Sequence, residues 1–117
     1  MQLLILVLTK TEALPSILSG FYEAGLSATT VAQCEGGLHM LGDATNEPPP
    51  IFGVLRRFLN PQQSEAKLML SILEDGQVPT AKAIIDKAVG GIEKPNTGVI
   101  CTLPISSTEG LANHNSL

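Results

Sequence analysis

The chain carries one local pattern twice. From Leu4 to Ala24 it reads LILVLTKTEALPSILSGFYEA, and from Leu68 to Ala88 it reads LMLSILEDGQVPTAKAIIDKA. In each copy an apolar run ends in a polar break, a proline follows, and apolar residues then recur at helical spacing. Pro15 and Pro79 hold the same place in the two copies, 64 residues apart. Identities between the copies are few, so chance similarity of two strand–helix units is the alternative to a duplication. The order of elements stands under either origin, and it constrains the fold more than any single motif.

Leu3 to Leu8 is wholly apolar, short and closed by Thr9 and Lys10, the pattern of a strand covered on both faces. Pro15 suits the first turn of a helix, where its missing N–H has no partner to lose. Ile17, Leu18, Phe21 and Tyr22 follow at helical spacing, and Gly25 is placed to stop the helix. A second strand is expected from Leu26 to Cys34, centred on the β-branched Thr29, Thr30 and Val31. A long connection then opens at Glu35, with Gly36-Gly37, Gly42, Asp43 and the triple proline Pro48 to Pro50. Within it Ile51, Val54, Leu55, Phe58 and Leu59 form a short amphipathic helical pattern, stopped by Asn60-Pro61. A third strand is expected over Ala66 to Leu73 and a second helix from Pro79 to the Gly90-Gly91 pair. A fourth strand is expected over Val99 to Ile105.

The order is β-α-β, a long loop (about 36–64), then β-α-β. That is the split βαβ, or ferredoxin-like, arrangement: an α+β fold with an antiparallel sheet and both helices on one face. The first and third strands are expected at the centre and the second and fourth at the edges. One domain, 1–105, contains all of this, and 106–117 reads as a polar C-terminal tail. With 117 residues the chain is long enough to bury a core of its own.

Two helices cover one face of a sheet. Yet Leu3 to Leu8 and Leu68 to Leu73 are apolar on nearly every residue, so the second face needs a cover that the chain does not supply. Another copy of the chain is the simplest cover, and a homo-oligomer is expected; a local hydrophobic excess in a monomer is the alternative.

Composition excludes several functions. Aromatic content is 3%, which leaves few side chains to stack on bases or sugars. The net charge is −4, and only Arg56 and Arg57 adjoin among the seven basic residues, so nucleic acid is not an expected partner. The opening lacks a basic segment before its short apolar run, and no stretch approaches the ~18–20 apolar residues of a membrane span. Two distant cysteines make no disulfide framework. A cytoplasmic location is therefore the expectation.

Three stretches resemble the PII-like family of trimeric signalling proteins. They are QLLILVLTK (Gln2 to Lys10) before a proline-led helix, AGLSATTV (Ala24 to Val31), and KPNTGVICTLPI (Lys94 to Ile105). The last is the most specific: a glycine-containing turn leads into a final strand that closes in a Leu-Pro-aliphatic sequence. The resemblance spans residues 1–105. It implies a homotrimer of ferredoxin-like subunits whose sheets line the centre. It also implies a regulatory protein, with no cofactor required, that binds a small effector, usually an adenine nucleotide, in clefts between subunits. The regulated partner, a membrane transporter or an enzyme, would be engaged by the mobile loop after the second strand, here Gly37 to Pro50, through an order–disorder switch.

Carried over residue by residue, Gly36 matches the glycine at the loop base and Gly98 the turn glycine, with Glu35, Gly37, Asn96 and Thr97 beside them. On their own chemistry, Asn96, Thr97 and Gly98 can offer successive backbone N–H groups to an anion, although an ordinary connecting turn has the same composition. The chain also departs from the nucleotide-binding members. Val99 stands where they carry a phosphate-binding lysine, and Ser106 to Glu109 supplies none of their arginines. The loop has no Tyr to modify. Arg56 and Arg57 are the remaining cations within reach, and they read equally as a solvated face. An effector with less charge than a triphosphate is expected.

Cys34, His39 and Asp43 lie within ten residues and are candidate ligands for Zn²⁺ or Cu. Their spacing matches no tight motif, but they keep open an alternative, a CutA-like divalent-metal-binding trimer. Cys34 and Cys101 are expected on opposite edge strands, out of disulfide reach. No catalytic residues are assigned. His39 lies in a Gly- and Pro-rich loop without a rigid orienting partner, so nucleophilic catalysis does not assemble and no enzyme is expected.

Overall fold

The computed structural model describes residues 1–35 and 65–111. Four strands and two helices follow in the order β1 (Gln2–Leu8), α1 (Leu14–Glu23), β2 (Thr29–Glu35), β3 (Glu65–Leu73), α2 (Val78–Val89) and β4 (Gly98–Pro104). The strands form one sheet in the order β2-β3-β1-β4, and every neighbouring pair is antiparallel. This α+β arrangement is compatible with a ferredoxin-like fold. The repeated segment occupies the two central strands.

The two helices begin and end by the same local devices. A short 3-10 turn precedes each, Thr11–Ala13 before α1 and Asp75–Gln77 before α2, and each helix has its proline in the first turn. Each then closes in a Schellman motif, with glycine in the left-handed conformation. At α1, Gly25 (φ 77°) donates to the Tyr22 carbonyl and Leu26 to that of Phe21. At α2, Gly90 (φ 77°) donates to Lys87 and Gly91 to Asp86. Lys10 reaches across from the end of β1 and gives its ammonium to the Val89 carbonyl, 3.0 Å away. A cation there also opposes the negative end of the helix dipole.

β2 starts at Thr29, three residues later than the β-branched pattern predicts. Leu26 is spent on closing α1: it is buried in the core beside Phe21, as the residue after a Schellman glycine commonly is. The Thr29 hydroxyl donates to the Leu26 carbonyl at 3.2 Å, which ties the turn to the strand.

Alternate residues of the central strands face the helices. Leu4, Leu6 and Leu8 of β1 and Met69 and Leu73 of β3 meet Ile17 and Phe21 of α1 and Ala81, Ile85 and Val89 of α2. Each of these strand and helix side chains is essentially excluded from water. Burial of one such Leu or Phe contributes about 1.5–3 kcal/mol before chain entropy is counted. One polar side chain lies among them. Ser71 is fully buried and sits 2.8 Å from the Thr29 hydroxyl. Thr29 gives its own proton to Leu26, so Ser71 is the donor of that pair.

The residues between them face the other way. Ile5 stands opposite Leu70 and Cys101, Val7 opposite Leu68 and Val99, and Leu3 opposite Ile72 and Leu103. Directly opposed residues share a face. Thr30 and Ala32 extend the same face onto β2 through their partners Leu70 and Leu68. None of these positions is charged. No helix of the described residues packs on this side, and Leu70 and Leu103 remain 36% and 46% exposed. On the same face Ile5, Val7 and Ala66 are buried, with Leu68, Val99 and Cys101 packed around Val7 and Ala66, so its apolar exposure is confined to its margins.

Candidate functional site

The residues that join α2 to β4 form the most structured turn among the described residues. Asp86, on the exposed side of α2, accepts the Ile92 N–H at 2.8 Å. Thr97 is 4% exposed, and its hydroxyl proton is shared between the carbonyls of Ile92 and Lys94, at 3.0 and 2.9 Å. Its own carbonyl accepts the N–H groups of Thr9 and Lys10, both at 3.1 Å. Between these anchors Asn96 is held exposed with φ 61°, a left-handed conformation that Asn adopts more readily than most residues.

A depression flanks this turn on each side. The larger, about 770 Å³, is an open groove that runs along α2. Lys82, Asp86, Glu93, Lys94, Asn96 and Gly98 contribute its polar lining, and Ile92, Val99 and Ile100 its apolar wall. The smaller, about 420 Å³, lies toward Thr9, Lys10 and Glu12. Lys94, Pro95, Asn96 and Thr97 line both. The larger groove has the size of a small-molecule site, with two cations facing two anions. That balance suits a ligand of low net charge better than a polyphosphate.

The structure assigns different tasks to the three turn residues named from the sequence. Thr97 is a fastening residue. Gly98 is the first residue of β4, and a Cβ there would lie 2.7 Å from the Val7 carbonyl oxygen. Close approach of β1 therefore accounts for that glycine within the chain itself. Asn96 alone presents its side chain outward. Lys82 and Asp86 went unread in the sequence, and Lys94 was read only as the start of the turn phrase, because charges on an exposed helix face and a polar turn look like ordinary solvated positions. The one available signal was the i, i+4 spacing of Lys82 and Asp86 beside the turn phrase.

Glu35 is the last residue of β2, and Cys34 stands opposite Ala66 in the β2–β3 register. Gly36, Gly37, Arg56 and Arg57 lie outside the described residues, as do His39 and Asp43 and the amphipathic segment from Ile51 to Leu59. Among the described residues no three His, Cys, Asp or Glu side chains gather as a metal site. Cys101 is a free thiol on β4, across the full width of the sheet from β2.

The two halves of the expected cleft are far apart within one chain. Gln33, Lys67, Leu8 and Gly98 share one row across the sheet, so the ends of β2 and the start of β4 lie at the same end. They occupy opposite edges, however, separated by three strand spacings of about 4.8 Å, roughly 14 Å in all. Within one chain Glu35 and the Asn96 turn therefore border opposite edges of the sheet.

No family model matches the chain, and no curated protein matches it. Among the described residues no helix is long and apolar enough to cross a membrane.

Proposed function

We propose that the protein is a PII-like regulator, a homotrimer that binds a small effector between subunits and acts on a partner protein through the loop of residues 37–50. The observation that carries this reading is the placement of the two half-sites. The loop base at Glu35 and the turn at Asn96 to Gly98 lie at one end of the sheet but on opposite edges. A neighbouring copy set against the sheet edge brings the two together; a lone chain cannot. The uncharged second face of the sheet supports the same assembly, because Leu70 and Leu103 leave apolar surface exposed on it.

The effector is an adenine nucleotide or a related metabolite of modest charge. Lys82 and Lys94 are the cations of the turn-side groove, and Val99 leaves the phosphate-facing position without one. The protein works in the cytoplasm on a transporter or an enzyme, without chemistry of its own. Effector binding orders the loop and changes its contact with that partner.

A thermal-shift panel of adenine nucleotides, cyclic dinucleotides and divalent metals tests the proposal. A ligand present at 100 times its Kd stabilises the folded state by about 2.7 kcal/mol, a shift of several degrees. Stabilisation by at least one nucleotide, reduced by Asn96→Ala or Lys94→Ala, is expected. A response to Zn²⁺ or Cu²⁺ alone, abolished by His39→Ala, replaces the regulator with a metal-binding trimer.

A further inference from the structure

We infer that Lys82 holds the anionic group of the effector at the end of the groove away from Asn96, and that Asp86 and Glu93 receive the effector's amino end. The inference rests on the regulator reading above and adds the direction in which the effector lies. The resemblance seats an effector's anion at the turn ahead of β4. The charges of this chain reverse that direction.

The groove along α2 has two unlike ends. α2 finishes beside Lys10, whose ammonium meets the Val89 carbonyl, and β4 starts at Gly98 opposite Leu8, so both reach the same end of the sheet. A rise of about 1.5 Å per residue puts Asp86 about 4.5 Å and Lys82 about 10 Å below the last residue of α2. Four residues apart, the two lie on one face of the helix. β4 descends alongside, from Gly98 to Ile100 in the row of Leu6. Lys82 therefore belongs to the lower end of the groove, and Asp86, Glu93, Lys94 and Asn96 to the upper.

At the upper end the carboxylates outnumber the ammonium. Asp86 gives one oxygen to the Ile92 N–H and keeps the other for a ligand. Among the described residues no ion pair or side-chain hydrogen bond engages Glu93. Lys94 is turned aside. A Cβ at Gly91 would lie 3.4 Å from its Cε and 3.5 Å from its Cδ and Cγ, so its stem rests against the residue just past the end of α2. An anion brought to this end meets two carboxylates. Lys82 is differently placed. It is exposed, no ion pair or side-chain hydrogen bond among the described residues engages it, and Asp86, its neighbour at i+4, is drawn to the Ile92 N–H. An ammonium on a flexible stem suits a compact anion as a point charge.

The ligand selected by this geometry carries one anionic group and, beyond an apolar body, an amino donor. Ile92, Val99 and Ile100 supply the wall for that body. An adenine mononucleotide meets the description with its phosphate at Lys82 and its exocyclic amino group at the acidic end. A polyphosphate does not, because among the described residues Lys82 is the one cation lining the lower end.

Isothermal titration calorimetry of the assembled protein with adenosine, adenosine monophosphate and the adenine-free zwitterion 6-aminohexanoate tests the direction. Wild type should bind the monophosphate about tenfold more tightly than adenosine, the advantage expected of one charge-assisted contact. Lys82→Gln should weaken the monophosphate about tenfold and adenosine less than about twofold, and Lys82→Arg should keep most of the preference. Lys94→Gln should move both compounds alike. Both lysines are exposed, so unfolding of these variants without ligand should match wild type. The inference is overturned if Lys94→Gln abolishes the preference while Lys82→Gln keeps it, or if wild type binds adenosine and its monophosphate equally; the regulator reading survives either result. Binding of 6-aminohexanoate alone, lost in Lys82→Gln, keeps the direction and removes the nucleotide effector. Binding of none of the three overturns both.

Discussion

Gly98→Ala separates a structural glycine from a ligand-binding one. The added Cβ would meet the Val7 carbonyl oxygen at 2.7 Å. Ordinary carbon–oxygen contact needs several tenths of an ångström more. The obstacle is backbone of a central strand, paired on both sides, so it cannot yield as a side-chain tip would. Overpacking of this kind costs about 1–3 kcal/mol, and a rigid neighbour places it in the upper half of that range. Replacing Gly with Ala in a strand returns about 0.5–1 kcal/mol of backbone entropy. The net expectation is a loss of about 1–2 kcal/mol, which for a chain of this size lowers Tm by roughly 4–10 °C. The assay is thermal unfolding by circular dichroism at one fixed protein concentration, without effector. Gly76→Ala is the control, because nothing lies within 4 Å of a Cβ there and no positive φ is required. It should unfold at or slightly above the wild-type temperature. If Gly98→Ala unfolds within 2 °C of wild type, the β1 contact is not what requires the glycine, and ligand approach regains its claim.

Three further outcomes follow from the same packing. A Cβ at Gly20 would lie 2.6 Å from the Ile84 Cγ2 methyl, so Gly20→Ala should destabilise despite a helix-propensity gain of about 1 kcal/mol; in an Ile84→Ala background the same change should stabilise. A denaturant double-mutant cycle with no change of sign would remove that contact as the reason for the glycine. Thr97→Val keeps the shape but strips the proton from the Ile92 and Lys94 carbonyls, and should cost about 1–2 kcal/mol in urea unfolding. An unchanged midpoint would show that the turn is held otherwise. Leu70→Lys puts a charge on the sheet face opposite α1 and α2 and should yield a folded monomer by native mass spectrometry; an undiminished oligomer would mean that this face is not an interface.

Much of the architecture was legible because it is locally encoded. Pro15 and Pro79, with Gly25 and Gly90, bound their helices through bonds to residues within six positions, so a short window of sequence contains both cause and effect. Leu3 to Leu8 announced a central strand because each of its residues had to be apolar. Leu26 misled the reading. It is apolar and precedes a β-branched run, but a Schellman closure claimed it before the strand began. Nothing near Ser71 in sequence signals its role; its buried hydroxyl is satisfied by Thr29, 42 residues away.

The candidate site was less legible than the fold. The phrase from Lys94 to Ile105 marked the right turn, since a glycine and small polar residues ahead of a β-branched run are visible locally. Which member does what was not visible. Thr97 is consumed in fastening the turn and Gly98 in admitting β1, while Lys82 and Asp86 reach the groove from the preceding helix.

By itself, then, the sequence determined the twice-occurring strand–helix unit, the limits of its helices, and the excess of apolar residues on two strands. These depend on propensity, capping and periodicity, which act over a few residues. The tertiary structure decided the row that sets Gln33 and Gly98 at one end of the sheet on opposite edges. It also decided the carbonyl that excludes a side chain at position 98. Such facts arise from contacts between segments distant in the chain, whose geometry exists only once the strands have paired.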